Sequence, residues 1–282
     1  MRKRVITIAA VFFHALAYRA EPASSSVPRF DKVMIVVLEN ANYKDALAQP
    51  FLRQLAKGGA LLSEYYAEGR PSLPNYIALT AGTTAGLTSN GPVSLRVRHI
   101  GDLLEAKGKT WKVYAEGYPG RCFLGERSGF YVRKHVPFLS FVNVQKDASR
   151  CAKIVEASAL TSDVVSGHLP DYSLYIPDEK NDGHDTGPAF ADRWLARVFG
   201  PLLNNQTFMK GLLFVVTFDE ADGNDRTNHV FTALVGESVL SSSVSKTAYN
   251  HYSLLRTIED GFRLGTLGQN DASAFPIVGA WR

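Results

Sequence analysis

Two continuous apolar runs constrain this chain more than any other feature. Lys32 to Leu38 reads KVMIVVL and Leu212 to Phe218 reads LLFVVTF. Neither run alternates apolar with polar residues, so neither suits a strand with one wet face. Both are short and rich in β-branched residues, which fits a strand buried on both faces in a parallel sheet. Val230 to Val235 offers a third such run, and Trp111 to Ala115 and Tyr172 to Ile176 read as further strands. Ala60 to Tyr66 reads as an edge-like strand. Apolar spacing predicts helices over 50–58, 73–81, 100–107, 190–203 and 252–262. Buried strands that alternate with helices predict an α/β, doubly wound sheet.

In such sheets ligands sit beyond the carboxyl ends of the strands. The residues that follow the two clearest runs are Glu39-Asn40 and Asp219-Glu220, and Tyr172 to Ile176 is followed by Asp178, Asp182, His184 and Asp185. Carboxylates held close together raise one another's pKa or require a counter-ion. A divalent cation answers that need, and hard oxygen donors favour Ca²⁺, Mg²⁺ or Mn²⁺, with Zn²⁺ also open. The plainer alternative is a set of strand-end polar residues that face water.

Ser72 lies in Gly69-Arg70-Pro71-Ser72-Leu73-Pro74-Asn75, a turn that opens a predicted helix. A helix N-terminus suits a phosphate, and a serine there becomes a nucleophile when a base or metal activates it. Ser72 as a simple helix cap is the competing reading.

The N-terminus has the pattern of a signal peptide over residues 1–20: Arg2, Lys3 and Arg4, then an apolar stretch from Val5 to Ala17 too short to span a bilayer. Residues 21–29 are Pro/Ser-rich and read as a flexible leader to one domain over 30–282. Cleavage after Ala20 removes four of the 31 basic residues and none of the 27 acidic ones. The net charge is then near zero, so the pI of about 9.0 gives no reason to expect a nucleic-acid partner. Cys122 and Cys151 fit one disulfide in an oxidising compartment, with two free thiols as the alternative. Asn205-Gln206-Thr207 is a glycosylation sequon.

The segments VVLENANY, RPSLPNYIALTAG, NDGHD, FVVTFDEAD and NHYSLLRTIEDGF, in that order, closely resemble the phosphoesterase family, as does the terminal LGTLGQNDA. That family holds bacterial phospholipases C and acid phosphatases of the alkaline phosphatase superfamily. The resemblance runs from about Lys32 to Asn270. It implies an alkaline-phosphatase-like three-layer α/β/α sandwich with a mostly parallel central sheet. It also implies a secreted, metal-dependent phosphatase of acid phosphatase type that works on small phosphorylated substrates through a phosphoserine. A phospholipase C-type phosphodiesterase with the same residues is the alternative, and a non-catalytic secreted binding protein a third. By position, Glu39, Asn40, Asp219 and Glu220 match metal ligands and Ser72 the nucleophile, itself a ligand. His184 and His135 match residues that contact phosphate or protonate the leaving group, and Asn90, Arg70 and His251 are further candidates for phosphate binding. Where the family often has His before Pro-Ser this chain has Arg70, and the usual Arg-His-Asn is Lys134-His135-Val136. No stable membrane insertion is implied, and a monomer or small homo-oligomer is expected.

Overall fold

The two apolar runs lie side by side. The computed structural model describes residues 27–282, so the expected signal peptide and most of the leader lie outside the described residues. An eight-stranded sheet organises the rest, built from β1 (Lys32–Leu38), β2 (Ala60–Leu62), β4 (Trp111–Ala115), β7 (Ile154–Glu156), β8 (Tyr172–Ile176), β9 (Leu212–Phe218), β10 (Thr232–Gly236) and β11 (Ser243–Ser245). Two small ribbons complete the strands: β3 (Tyr65–Tyr66) with β12 (Tyr249–Asn250), and β5 (Arg127–Ser128) with β6 (Tyr131–Val132). The sheet order is β11-β2-β10-β9-β1-β8-β4-β7, and only the pairings of β10 are antiparallel.

β1, β8 and β9 are buried almost throughout because helices cover both faces. The helices Pro50–Gly58 and Pro188–Leu203 pack together, as do Ser72–Ala81 and His251–Phe262. Each fully buried Val, Ile or Leu in these strands contributes roughly 1.5–3 kcal/mol of transfer free energy. The result is the expected α/β/α sandwich.

Three expectations need correction. Ala60 to Tyr66 is two short strands, and β2 lies inside the sheet, between β10 and β11. The edge reading failed because β11, with the sequence Ser-Val-Ser, is too short and polar to stand out in the sequence. Val27, assigned to the leader, is buried in the core, since an apolar side chain there finds the helix end near Arg263, whose guanidinium donates to the Val27 carbonyl. The third concerns the strand reading of Val230–Val235, which begins two residues later, at Thr232.

Cys122 and Cys151 are joined, with Cα atoms 5.5 Å apart. In the chain-entropy view a bridge across a loop of this size contributes about 3 kcal/mol. It fastens the segment that carries β5, β6 and Lys134-His135, which has little regular structure of its own. Asn205 is exposed and caps the helix Gln206–Met209 through its side-chain oxygen. Among the described residues no helix is long and apolar enough to cross a membrane.

Candidate active site

Parallel pairing of β1 with β9 puts Leu38 opposite Phe218. The next residue on each strand is therefore Glu39 and Asp219, side by side at the carboxyl edge of the sheet. The backbone confirms the junction, because Asp219 N–H donates to the Leu38 carbonyl at 3.0 Å. Asn40 turns the chain away with φ of 42°, a left-handed conformation that asparagine tolerates better than most residues. Its N–H points at Asp219 Oδ1, 3.4 Å away. On the other flank of β1, the Glu39 N–H donates to the Asp182 carbonyl at 3.0 Å, which draws the loop after β8 into the same edge.

Ser72 completes the group from a different layer. It is the first residue of the helix Ser72–Ala81, and Pro71 occupies the cap position without a side-chain cap bond. The cap reading of Ser72 is thus set aside. Its hydroxyl is buried and donates to Glu39 Oε2 at 3.1 Å, with Glu220 Oε1 at 3.4 Å. One turn along, where a residue at i+4 shares the helix face, Tyr76 donates to Glu39 Oε1 at 2.7 Å. Asn90 accepts the Leu73 N–H at 2.9 Å. Since Pro74 has no N–H and Leu73 is so engaged, this helix offers a phosphate fewer free donors than its position suggests.

Charges around Glu39 decide the protonation pattern. Burial opposes its ionisation, but the neighbouring His135 cation, its contact with that ring, Lys134 and the Tyr76 hydroxyl outweigh burial and lower its pKa to about 2. His135 Nε2 is 3.1 Å from Glu39 Oε1, and Nδ1 is 3.4 Å from Asp182 Oδ2. Neither contact has hydrogen-bond geometry, so they act as ion pairs. Burial disfavours the imidazolium, yet Glu39 and Asp182 raise its pKa to about 9. Asp219 moves the other way: burial and the charges of Glu39 and Glu220 push its carboxyl well above the ordinary range. Burial and Glu39 raise Glu220 to about 7, against the pull of Arg70.

The phosphoesterase family profile matches residues 30–265. The chain belongs to the phosphoesterase family. It is 36% identical over 257 residues to a probable acid phosphatase of Kluyveromyces lactis, covering 87% of this chain and 61% of that protein. A phosphate-repressible acid phosphatase of Penicillium chrysogenum is 34% identical, with 87% and 62% covered. The chain thus spans about three-fifths of these fungal relatives. A phosphatidylinositol-3-phosphatase of Mycobacterium tuberculosis is 36% identical over 264 residues, with 92% and 85% covered. Among solved structures, an alkaline phosphatase superfamily protein from Vibrio parahaemolyticus shares the fold with a TM-score of 0.61 at 13% identity, over 90% of this chain and 75% of that one. Murine ectonucleotide pyrophosphatase/phosphodiesterase 5 matches with a TM-score of 0.58 at 11% identity, over 85% and 97%.

Two of the residues considered for phosphate binding are engaged elsewhere. His251 is buried, with Nδ1 3.1 Å from the Tyr65 hydroxyl and Nε2 2.7 Å from the Asp219 carbonyl. Both ring nitrogens are engaged and burial lowers its pKa to about 4, so it braces the Asp219 backbone and is closed to phosphate. Arg70 spends its guanidinium on the loop after Glu220. It donates to the carbonyls of Ala221, Asp222 at 2.9 Å and Asp225 at 3.0 Å, and pairs with Glu220 at 3.5 Å. It holds that loop and does not line the cavity beside Ser72.

That cavity, about 320 Å³, is lined by Leu73, Asn90, Lys134, Glu179 and His184 among others. His184 is a third exposed and is oriented by Asp185 Oδ1 at 2.8 Å from its Nδ1. His135 does not line the cavity. It lies beneath Glu39, stacked on Tyr76 with ring centres 5.1 Å apart, and meets the site through Glu39. Asp178, one of the acids that follow β8, caps its own turn by accepting from Asn181 N–H at 2.9 Å.

Tyr76, Glu179 and Arg127 were missed as site residues. The i+4 spacing from Ser72 is the signal for Tyr76; nothing in the spacing marks the other two. For a cation, the donor chemistry fits: Asn40 Oδ1 and Asp219 Oδ2 are buried oxygens without a hydrogen-bond partner, beside two further carboxylates and the Ser72 hydroxyl. The fit is by donors rather than by a closed cage, since among the described residues no three His, Cys, Asp or Glu side chains are arranged as one.

Proposed function

We propose that this chain is a secreted, metal-dependent phosphatase that hydrolyses phosphate monoesters through a phosphoserine at Ser72. The observation that carries the reading is the Ser72 hydroxyl at a helix start, 3.1 Å from Glu39 and 3.4 Å from Glu220, beside the cavity whose wall includes Asn90 and His184. The names of the relatives, acid phosphatase and phosphatidylinositol-3-phosphatase, point to the same chemistry. Secretion rests on the N-terminal signal pattern and the disulfide.

Glu39, Asn40, Asp219, Glu220 and Ser72 would hold the cation. A divalent ion bound there supplies Lewis acidity, which eases deprotonation of the serine and offsets charge on phosphate oxygens. Ser72 Oγ attacks phosphorus and its proton passes to the carboxylate oxygens it already faces. The bond from phosphorus to the leaving oxygen breaks as His184 gives that oxygen a proton. Asn90, whose Oδ1 is engaged with Leu73, has its Nδ2 to donate to a phosphate oxygen. Water then attacks the phosphoserine, inorganic phosphate departs and Ser72 regains its proton.

The test is turnover of para-nitrophenyl phosphate by the full chain, before and after metal stripping and after restoration with Ca²⁺, Mg²⁺, Mn²⁺ or Zn²⁺. Metal-restored hydrolysis of the monoester is expected. Faster hydrolysis of bis-para-nitrophenyl phosphate would make the enzyme a diesterase, and none of either would remove the reading.

A further inference from the structure

A row of three charged side chains runs through the wall of the cavity beside Ser72. Glu179 stands in the middle and is buried. Lys134 lies on one side, its Nζ 3.6 Å from Glu179 Oε1, and Arg127 pairs with Oε2 on the other. All three line the cavity.

The two cations differ. The Lys134 side chain is only 16% exposed. Its ammonium stands beyond hydrogen-bond distance of Glu179, and it makes no hydrogen bond among the described residues. Lys134 and Glu179 are an ion pair without a hydrogen bond, so the ammonium keeps its three N–H donors for a second anion. Lys134 is also the inner member by position, since it is next in the chain to His135, whose Nε2 is 3.1 Å from Glu39 Oε1. Arg127 is the outer member, 55% exposed on the two-residue strand β5. Arg133, also in the wall, is not available: its guanidinium donates to the carbonyls of Leu124, Val93 and Leu139 at 2.8–2.9 Å. Among the Lys, Arg, Asp and Glu side chains of the lining, Arg127, Arg133 and Lys134 stand against Glu126 and Glu179, which leaves one positive charge, and Lys134 and Arg127 hold its inner and outer positions. Leu73, Pro92 and Val132 also line the cavity, and their apolar surface suits a carbon skeleton.

We propose that the cavity selects phosphomonoesters whose leaving group carries a second oxyanion, with the reacting phosphate on Lys134 and the second anion on Arg127. This rests on the phosphatase reading of Ser72 and goes beyond it to the class of substrate. Arg127 is the specificity-determining residue, because a guanidinium binds an oxyanion through two parallel hydrogen bonds. Glu179 keeps both cations in place and is the group the second anion displaces.

Titration calorimetry on the full chain tests this without turnover, with butane bisphosphonate, the phosphonate carboxylate of the same length, and butylphosphonate. Wild type should bind one or both of the first two about tenfold tighter than butylphosphonate, the worth of one charge-assisted hydrogen bond. Which of them is preferred separates phosphate from carboxylate. Arg127→Met should erase the preference and Arg127→Lys restore part of it, while Lys134→Met should weaken all three. Equal affinity of wild type for all three probes, which would point to a neutral leaving group, overturns the proposal. So does an Arg127→Met variant that keeps the preference while melting like wild type. Failure of the phosphatase reading has a different sign, the absence of para-nitrophenyl phosphate turnover, and leaves the binding preference measurable.

Discussion

Buried carboxylates meet at the sheet edge and again behind the helix His251–Phe262, and only the first place has the makings of a catalytic centre. At the sheet edge Glu39, Asp219 and Glu220 converge on the Ser72 hydroxyl, with His135 as a cation beneath. In the packing behind helix His251–Phe262, Glu259 is buried with neither carboxyl oxygen hydrogen-bonded. Burial and the nearby charge of Asp271 raise its pKa to about 9. Asp271, by contrast, accepts from the Leu267 and Gln269 N–H groups at 2.7 and 2.8 Å. Both places carry the electrostatic tension that marks functional sites. At the second, among the described residues, no hydroxyl donates to Glu259, and neither acid lines the cavity beside Ser72. Perturbed acids therefore mark a site only with a hydroxyl to activate and a space for a substrate.

The largest expected effect breaks the first centre at its hydroxyl. Ser72→Ala should lower turnover of para-nitrophenyl phosphate by at least about a thousandfold, with circular dichroism unchanged. Next, Asp219→Asn should cost about a hundredfold in turnover, the loss expected when support of a metal centre is removed. Metal-stripped Asp219→Asn should nonetheless melt above the wild type at pH 8, because the amide removes an acid that burial and its neighbours keep from ionising. Tyr76→Phe removes the 2.7 Å hydrogen bond to Glu39. Its effect should be smaller, about 1.5–3 kcal/mol in denaturant titration, with a drop in kcat rather than in affinity for phosphate.

Glu259→Gln sharpens the comparison from the other side. The folded state holds a proton that the unfolded chain releases, since the pKa rises from 4.5 to about 9 on folding. The protein should therefore lose stability as pH climbs through that window, with the penalty absent below its lower limit. Melting curves of the glutamine variant should show a flatter pH dependence and a higher Tm at pH 8, with para-nitrophenyl phosphate turnover at the wild-type level.

Much of this was legible in the sequence because the strongest signals are local. Apolar runs such as Lys32–Leu38 fix strands by composition, and parallel pairing then brings Glu39 and Asp219 together without further information. Ser72 could be singled out because it lies within the segment RPSLPNYIALTAG that carries the family resemblance, whereas Asn90 aligns only across a gap. His251 and Arg70 could not be read correctly, because what decides their roles is a partner far along the chain: the Asp219 carbonyl for one, the carbonyls of 221–225 for the other. Arg127 belongs to a stretch between Gly117 and Pro137 with little more than a two-strand ribbon and no periodicity, and Glu179 to the loop after β8, so nothing local announces their proximity to Lys134. Three-dimensional placement of such side chains depends on tertiary contacts that the sequence pattern does not display.

The most direct measurement traps the covalent intermediate. Metal-loaded protein would be quenched in acid during turnover of para-nitrophenyl phosphate, and its peptides read by mass spectrometry. The account predicts phosphate on the peptide that carries Ser72, at Ser72 itself, and none in the Ser72→Ala protein. An unmodified Ser72 during rapid turnover, together with an active Ser72→Ala variant, would contradict it.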